Sequence, residues 1–314
     1  MSGYVFRRLI GIGINLFLVS LFLFFSLRLV PGDLTLTILT ESSTEAQREQ
    51  FRAEHGLDKP PLQQYANWLT DALQGDLNKS FRSSQAVSKE FLFRLPVTLE
   101  VVFFSFLFTS VFGVVGGVLA ATRQDSFWDY GVRFIAILGI SVPSFLLLTL
   151  MLILPARWAG YAPPFGATRI LEAPIENLQL FIPPTLMLAI GGSAGLIRLT
   201  RTAMLDVLRQ DYLRTARSKG LASKVVIMRH AFPNALPPVL TFMSLQLSFL
   251  LGGSIIVESV MGLPGLGTWA LQAIQSKDYP IVMAFSLYSA LMLMVISLLV
   301  DLLYGFLDPR IRYS

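Results

Sequence analysis

The sequence predicts an all-α membrane protein that crosses the bilayer six times and keeps both ends in the cytoplasm. Three observations carry this expectation. Hydrophobic residues make up 54% of the 314 residues and charged ones 14%, with a mean hydropathy of +0.61; that is more apolar surface than a soluble core of this size buries. Six uncharged runs, 9–27, 101–122, 134–156, 177–197, 231–257 and 279–300, each lie close to the ~20 residues a helix needs to cross hydrocarbon. The pieces this pattern leaves inside, 1–8, 123–133, 198–230 and 301–314, hold 14 Lys/Arg against 6 Asp/Glu, while the remainder holds 11 against 14. That asymmetry is the positive-inside rule at work.

Taken in order, Arg7 and Arg8 precede the first run and set its N-terminal end in the cytoplasm. The run is too long for the apolar part of a signal peptide, and Pro31-Gly32-Asp33 follows it in place of a small-residue cleavage site, so it reads as an uncleaved anchor. Residues 31–95 then form an external segment. Within it TEAQREQFRAEHG (44–56) and LQQYANWLTDALQG (62–75) have helical spacing, which predicts a small helical cap; a bare linker of this length is uncommon. The loop 123–133 is short, and the external loop 155–180 contains proline and has no clear period. Gly113 and Gly117, like Gly191 and Gly195, stand four apart on apolar runs, the spacing that lets membrane helices approach closely. The uncharged stretch 259–276 carries Gly262, Pro264, Gly265 and Gly267 in quick succession and is expected to be an external turn followed by an interfacial helix around Trp269. The chain thus divides into 1–95, the first span with its cap, and 96–314, a core of five spans.

The densest charge lies at 198–234, where Arg198, Arg201, Arg209, Arg214, Arg217, Lys219, Lys224 and Arg229 face only Asp206 and Asp211. Topology alone explains an excess of cations there but not their arrangement. Asp211 stands where a helix N-cap would, YLRTARSK follows, and Gly220 occupies a helix-stopping position. A second short run, SKVVIMRHA, ends at Pro233. Leu213, Ala216 and Leu221 interleave with the cations, which predicts a docking face for a protein partner; contact with anionic lipid is the other reading of the same residues.

Several chemistries are excluded. GGSAG (191–195) matches G-x-S-x-G, yet Ser193 has no base, because the two histidines, His55 and His230, both lie outside the spans. An intramembrane hydrolase is therefore not expected, and Ser193 reads as a packing residue. The uncharged runs hold no ionisable residue of the kind ion-coupled transporters keep at mid-membrane. There is no Gly-Lys dipeptide for a P-loop. Two histidines and no cysteine offer no soft metal cluster, and without cysteine there is no disulfide framework. A transporter of this kind needs a partner that supplies energy. A channel or scaffold that binds cytosolic proteins without active transport is the alternative of another class.

The residues also resemble a family. RLTRTAMLDVLRQDYLRTARSKGL (198–221) and RHAFPNALPP (229–238) are similar to the cytoplasmic loop of ABC importer permeases of the dipeptide/oligopeptide/nickel group, whose EAA motif reads E-A-A-x3-G-x9-I-x-L-P. Arg214-Thr215-Ala216 stands for E-A-A, Gly220 for the glycine, and His230-Ala231-Phe232-Pro233 for I-x-L-P. FRRL (6–9), RLVPGD (28–33), GLDKPPLQQYANWL (56–69), RLPVTLE (94–100), SVPSF (141–145), VESVMGLPGLG (257–267), KDYPIV (277–282) and VDLLYGFLDPRIR (300–312) extend the resemblance over nearly the whole chain. It implies the type I ABC importer permease fold in the inner membrane of a bacterium, paired with a second homologous permease, two cytoplasmic ATPases and an extracytoplasmic solute-binding protein. No nucleic acid partner is implied, and ATP and magnesium would sit on the partner subunits, with no cofactor on this chain. Asp211, Arg214, Thr215, Ala216, Arg217, Lys219, Gly220 and Leu221 would couple to the ATPases as a short docking helix. Glu258, with Pro264, Gly265 and Gly267, would form an external gate or touch the substrate. The implied cargo is a peptide, with nickel chelates, opines and glutathione as alternatives within the family.

Overall fold

The computed structural model describes residues 2–29, 43–161 and 170–307, together with 35, 38, 39, 164 and 166. Parts of the RLVPGD and LDPRIR motifs and of the 155–180 loop lie outside the described residues. Among the described residues all regular structure is helical, apart from an isolated antiparallel bridge between Lys79 and Ala86. The helices are α1 (Ser2–Arg28), α2 (Glu45–Glu54), α3 (Pro61–Leu73), α4 (Val87–Thr122), α5 (Phe127–Ser141), α6 (Ser144–Ala159), α7 (Pro174–Leu208), α8 (Asp211–Ser218), α9 (Phe232–Met261), α10 (Leu266–Gln275) and α11 (Tyr279–Leu307). Contacts divide the chain into two units, Met1–Thr98 with Pro264–Val295, and Leu99–Leu263 with Ile296–Tyr313.

The first unit contains the expected cap. Thr44 and Gln47 form a reciprocal capping box at the start of α2, and Pro61 opens α3 at a position where its missing N–H costs nothing. Tyr65 and Trp68 of α3 share an apolar core with Phe24 of α1 and Met283 of α11. The Ser20 hydroxyl lies 2.9 Å from the Tyr65 hydroxyl, and Arg28 donates to Gln64 Oε1 while its guanidinium stacks 3.9 Å above the Phe24 ring. A second core joins Val87 of α4 to Leu266, Trp269 and Ala273 of α10 and to Ile281, Ala284 and Tyr288 of α11. The turn before α4 is held by the buried Asp278, which accepts from Ser80 Oγ at 2.5 Å and from the Phe81 N–H at 3.2 Å.

In the second unit α7 packs against α5, α6 and α9. The close approach expected at the paired glycines is present at three of the four. A Cβ on Gly113 would fall 2.4 Å from Leu196 Cδ2, one on Gly117 2.4 Å from Thr200 Cβ, and one on Gly195 2.7 Å from Phe242 Cζ. Gly191 instead meets nothing nearer than a carbonyl oxygen at 4.0 Å, and its neighbour Gly192 is the tight one, against Gln246 and Thr109. Gly117→Val is therefore expected to cost about 1–3 kcal/mol and to lower the yield of folded protein from membranes. Gly191→Ala should leave yield and melting temperature unchanged.

Among the described residues five helices are long and apolar enough to cross a membrane alone, and a sixth crossing needs α5 and α6 together, two helices bent by 103° at their junction. This corrects the expectation of one straight span over 134–156. The cause is Pro143: it has no N–H to continue the helix and forces the preceding Val142 into an extended conformation (φ −89°, ψ 125°), so α5 stops at Ser141. Counting uncharged residues does not register such a break. A second correction concerns SKVVIMRHA, which does not end at Pro233. Ser223–Val225 runs into a wide π-helical turn, Val226–Ala231, that continues directly into α9. The wide turn accommodates the proline at the start of α9, where an ordinary α-turn would crowd its ring against the carbonyl four residues back.

Candidate functional site

The coupling segment is built on the end of α7, which carries the chain past its apolar part to Leu208. Arg209 and Gln210 turn the chain, and α8 begins at Asp211. Asp211 is thus the first helical residue and not the N-cap, a position held by Gln210 without a side-chain bond. Its carboxylate still suits the positive N-terminal end of the helix. It is 94% exposed and stands 3.7 Å from the Arg214 guanidinium, itself 80% exposed, so this ion pair contributes little to stability. The helix ends as expected. Gly220 has φ +80°, the Gly220 N–H donates to the Arg217 carbonyl at 2.9 Å, and the Leu221 N–H donates to the Ala216 carbonyl at 3.4 Å. These two bonds are the Schellman stop that glycine permits.

The expected apolar docking face is arranged differently. Leu213 is fully buried in a core with Ala121 of α4, Met204 of α7, Val226 and Ala231 of the π-turn and Ala235 of α9. Ala216 packs at the edge of that core. Leu213 and Ala216 therefore anchor α8 to its own chain, because an eight-residue helix cannot persist in water without tertiary support. What α8 leaves exposed is Asp211, Tyr212, Arg214, Thr215, Arg217 and Ser218, followed by Lys219, Gly220 and Leu221. Tyr212 also reaches the His230 carbonyl, 3.5 Å away. Beyond the stop, Val225 and Met228 are exposed apolar residues that the sequence reading passed over; their three-residue separation on a helical run was the available signal.

At the other motif, Glu258 is completely buried on the last turn of α9. Its carbonyl accepts from the Leu263 N–H at 2.9 Å, and Gly262 closes the helix at φ +65°. In the first unit, Pro264 and Gly265 lead into α10, whose Leu266 N–H donates to Thr98 Oγ1 at 2.8 Å, and Gly267 is buried within the first turn. The expected turn followed by a helix around Trp269 is present, with Trp269 part of the core.

A further pair went unnoticed in the sequence. Asp129, at the start of α5, is fully buried and takes both forks of Arg201 of α7, Nε at 2.8 Å and Nη2 at 2.7 Å. Among the described residues, no group of three His, Asp or Glu side chains could hold a metal ion.

Comparisons agree with this geometry. A family profile described as "Binding-protein-dependent transport system inner membrane component" matches residues 113–313, and the N-terminal profile of the same systems matches residues 1–102. A putative peptide transport system permease protein of Brucella abortus (strain 2308) is 39% identical over 314 residues, covering all of both chains. The glutathione transport system permease protein GsiC of Escherichia coli (strain K12) is 36% identical over the same full length. Among solved structures, an inward-facing MetNI methionine ABC transporter aligns with a TM-score of 0.55 at 20% identity, covering 70% of this chain and 96% of that one. An amino acid ABC transporter with histidines aligns with a TM-score of 0.51 at 19% identity, covering 69% and 93%. At that identity the two structures establish a shared fold.

Proposed function

Because the chain belongs to the inner membrane components of binding-protein-dependent transport systems, ABC importer permeases that cross the inner membrane several times, we propose that it moves short peptides inward under the drive of two cytoplasmic ATPases. A second homologous permease would complete the pathway, and an extracytoplasmic solute-binding protein would deliver the cargo to the cap side. Both ends of the chain and α8 would then lie in the cytoplasm, as the distribution of cations favours. The reading of cargo rests on relatives named for peptide transport and for glutathione, itself a tripeptide.

The observation that carries the mechanism is α8: a short helix fixed by Leu213, stopped at Gly220, and presenting Tyr212, Arg214, Arg217, Lys219 and Leu221 outward. Such an element is stiff enough to sit in a groove of an ATPase and be pushed. Closure of the ATPases around ATP and magnesium would displace α8 and, through the core it shares with α4, α7 and α9, tilt those helices between inward- and outward-open states. No nucleotide chemistry is asked of this chain.

Two measurements test the reading. The purified chain alone is expected to show no ATP hydrolysis. Proteoliposomes holding the full assembly should take up a labelled di- or tripeptide only when ATP is supplied. Hydrolysis by the isolated chain, or uptake indifferent to ATP, would refute the assignment; saturable uptake of glutathione alone would narrow the cargo to that tripeptide.

A further inference from the structure

We propose that Asp129 and Arg201 form a positioning pair that carries the displacement of α8 to the bent α5–α6 arm, so that without it ATP is hydrolysed with little transport. The proposal rests on the function proposed above. Asp129 lies in the first turn of α5, and Arg201 lies 72 residues later on α7. The carboxylate is fully covered and Arg201 is 17% exposed. Besides the two forks it receives the Asp125 N–H at 3.1 Å, where the chain takes φ +59° to deliver it. Arg133, one turn further along α5, brings its Nε within 3.2 Å, close enough for charge attraction but without a hydrogen bond from that nitrogen, and its guanidinium lies 4.7 Å from the Tyr130 ring centroid.

The position of the pair decides what it can do. On α7, Arg201 stands between Thr200, which is packed against Gly117, and Met204, which shares the Leu213 core. The cationic end of the pair is therefore continuous with the anchor of α8. Its anionic end begins the arm whose far half turns by 103° at Ser141–Ser144. Nearby on the same two helices Val132, Ala136, Ala194 and Ile197 meet as apolar surfaces held by dispersion alone, and Gly139, close to the break, seats against Ile190. A planar, two-point charge-assisted fork cannot slide without breaking; it fixes both distance and orientation. Among the described contacts between α5 and α7, this charged fork is fitted to transmit a push and a rotation together.

The test uses the complete assembly in proteoliposomes, with uptake and ATP hydrolysis measured in the same vesicles. ATP-driven uptake by the wild type checks the underlying function; its absence sinks that reading and the role of the pair with it. For Asp129→Asn, peptide taken up per ATP is expected to fall about tenfold while hydrolysis stays within about twofold of wild type. Arg201→Lys keeps the charge but loses the fork and should show a smaller fall in the same ratio. Asp129→Glu, which keeps a carboxylate, should restore most of it. A wild-type ratio in Asp129→Asn, or uptake and hydrolysis falling in parallel, would overturn the proposal. Should Asp129→Asn fail to accumulate in membranes, Arg201→Lys decides in its place. An unchanged ratio in Arg201→Lys, or failure of both variants to accumulate, assigns the pair to folding and rejects the inference.

Discussion

Gly220→Val is expected to cut ATP-driven uptake by about tenfold or more while leaving the protein in the membrane at its normal level. The argument is one of conformation and not of space. Nothing lies within 4 Å of where a Cβ on Gly220 would sit, so no neighbour is displaced. The backbone there is at φ +80°, where a β-branched residue pays about 1–3 kcal/mol of strain. The chain can relieve that strain only by opening the Schellman stop, whose two hydrogen bonds end α8 and aim Leu221. Since 1.4 kcal/mol is a factor of ten in an equilibrium, a docking surface that depends on this stop loses most of its population. Gly220→Asn is the internal control, because asparagine tolerates left-handed backbone, and it should retain most of the uptake. Wild-type uptake by Gly220→Val would mean that a sharp end to α8 is dispensable.

Leu213→Ala carries the second large effect. Leu213 is fully buried in the core that ties α8 to α4, α7 and α9. Truncating such a residue costs about 2–5 kcal/mol, and an eight-residue helix has little else to hold it. Uptake should collapse, and co-purification of the ATPases should weaken, because α8 no longer presents its outer residues in one arrangement. Leu213→Met, which conserves volume, should cost less than about 1.5 kcal/mol and keep most of the activity. Had Leu213 lain on the outer face, as the alternation of apolar residues and cations suggested, the alanine variant would weaken ATPase binding without loosening α8. Limited proteolysis around Arg214 and Arg217 separates the two, since faster cleavage reports the loosened helix.

The legibility of this chain follows the range of the physics involved. The spans were readable because lipid imposes one rule on every residue of a crossing helix, and an uncharged run displays it directly. The cap helices were readable from helical spacing within 44–56 and 62–75, and the α8 stop from Gly220, because each depends on a few adjacent residues. The capping box at Thr44–Gln47 and the proline at Pro61 are the local devices that the structure adds. Pro143 was in plain view, but its consequence was hidden beneath the uniform hydrophobicity around it. The inward orientation of Leu213 depends on Ala121 and Ala235, more than ninety positions before it and some twenty after it in the chain. Asp129 and Arg201 were even less legible, since each looked like an ordinary member of a mixed-charge loop until folding placed one against the other.

The break between α5 and α6 has a consequence for what can surround it. It lies about eight residues into an uncharged run, or ~12 Å of helix rise, which is hydrocarbon depth if the run is embedded. Ser141, Pro143 and Ser144 are exposed on this chain, and the Ser141 hydroxyl is already spent on the Ile137 carbonyl at 2.8 Å. Acyl chains offer nothing to the carbonyls that a helix leaves open at such a corner. The corner must therefore be wetted or roofed by protein, and this short tetrapeptide marks a side of the subunit from which lipid is barred.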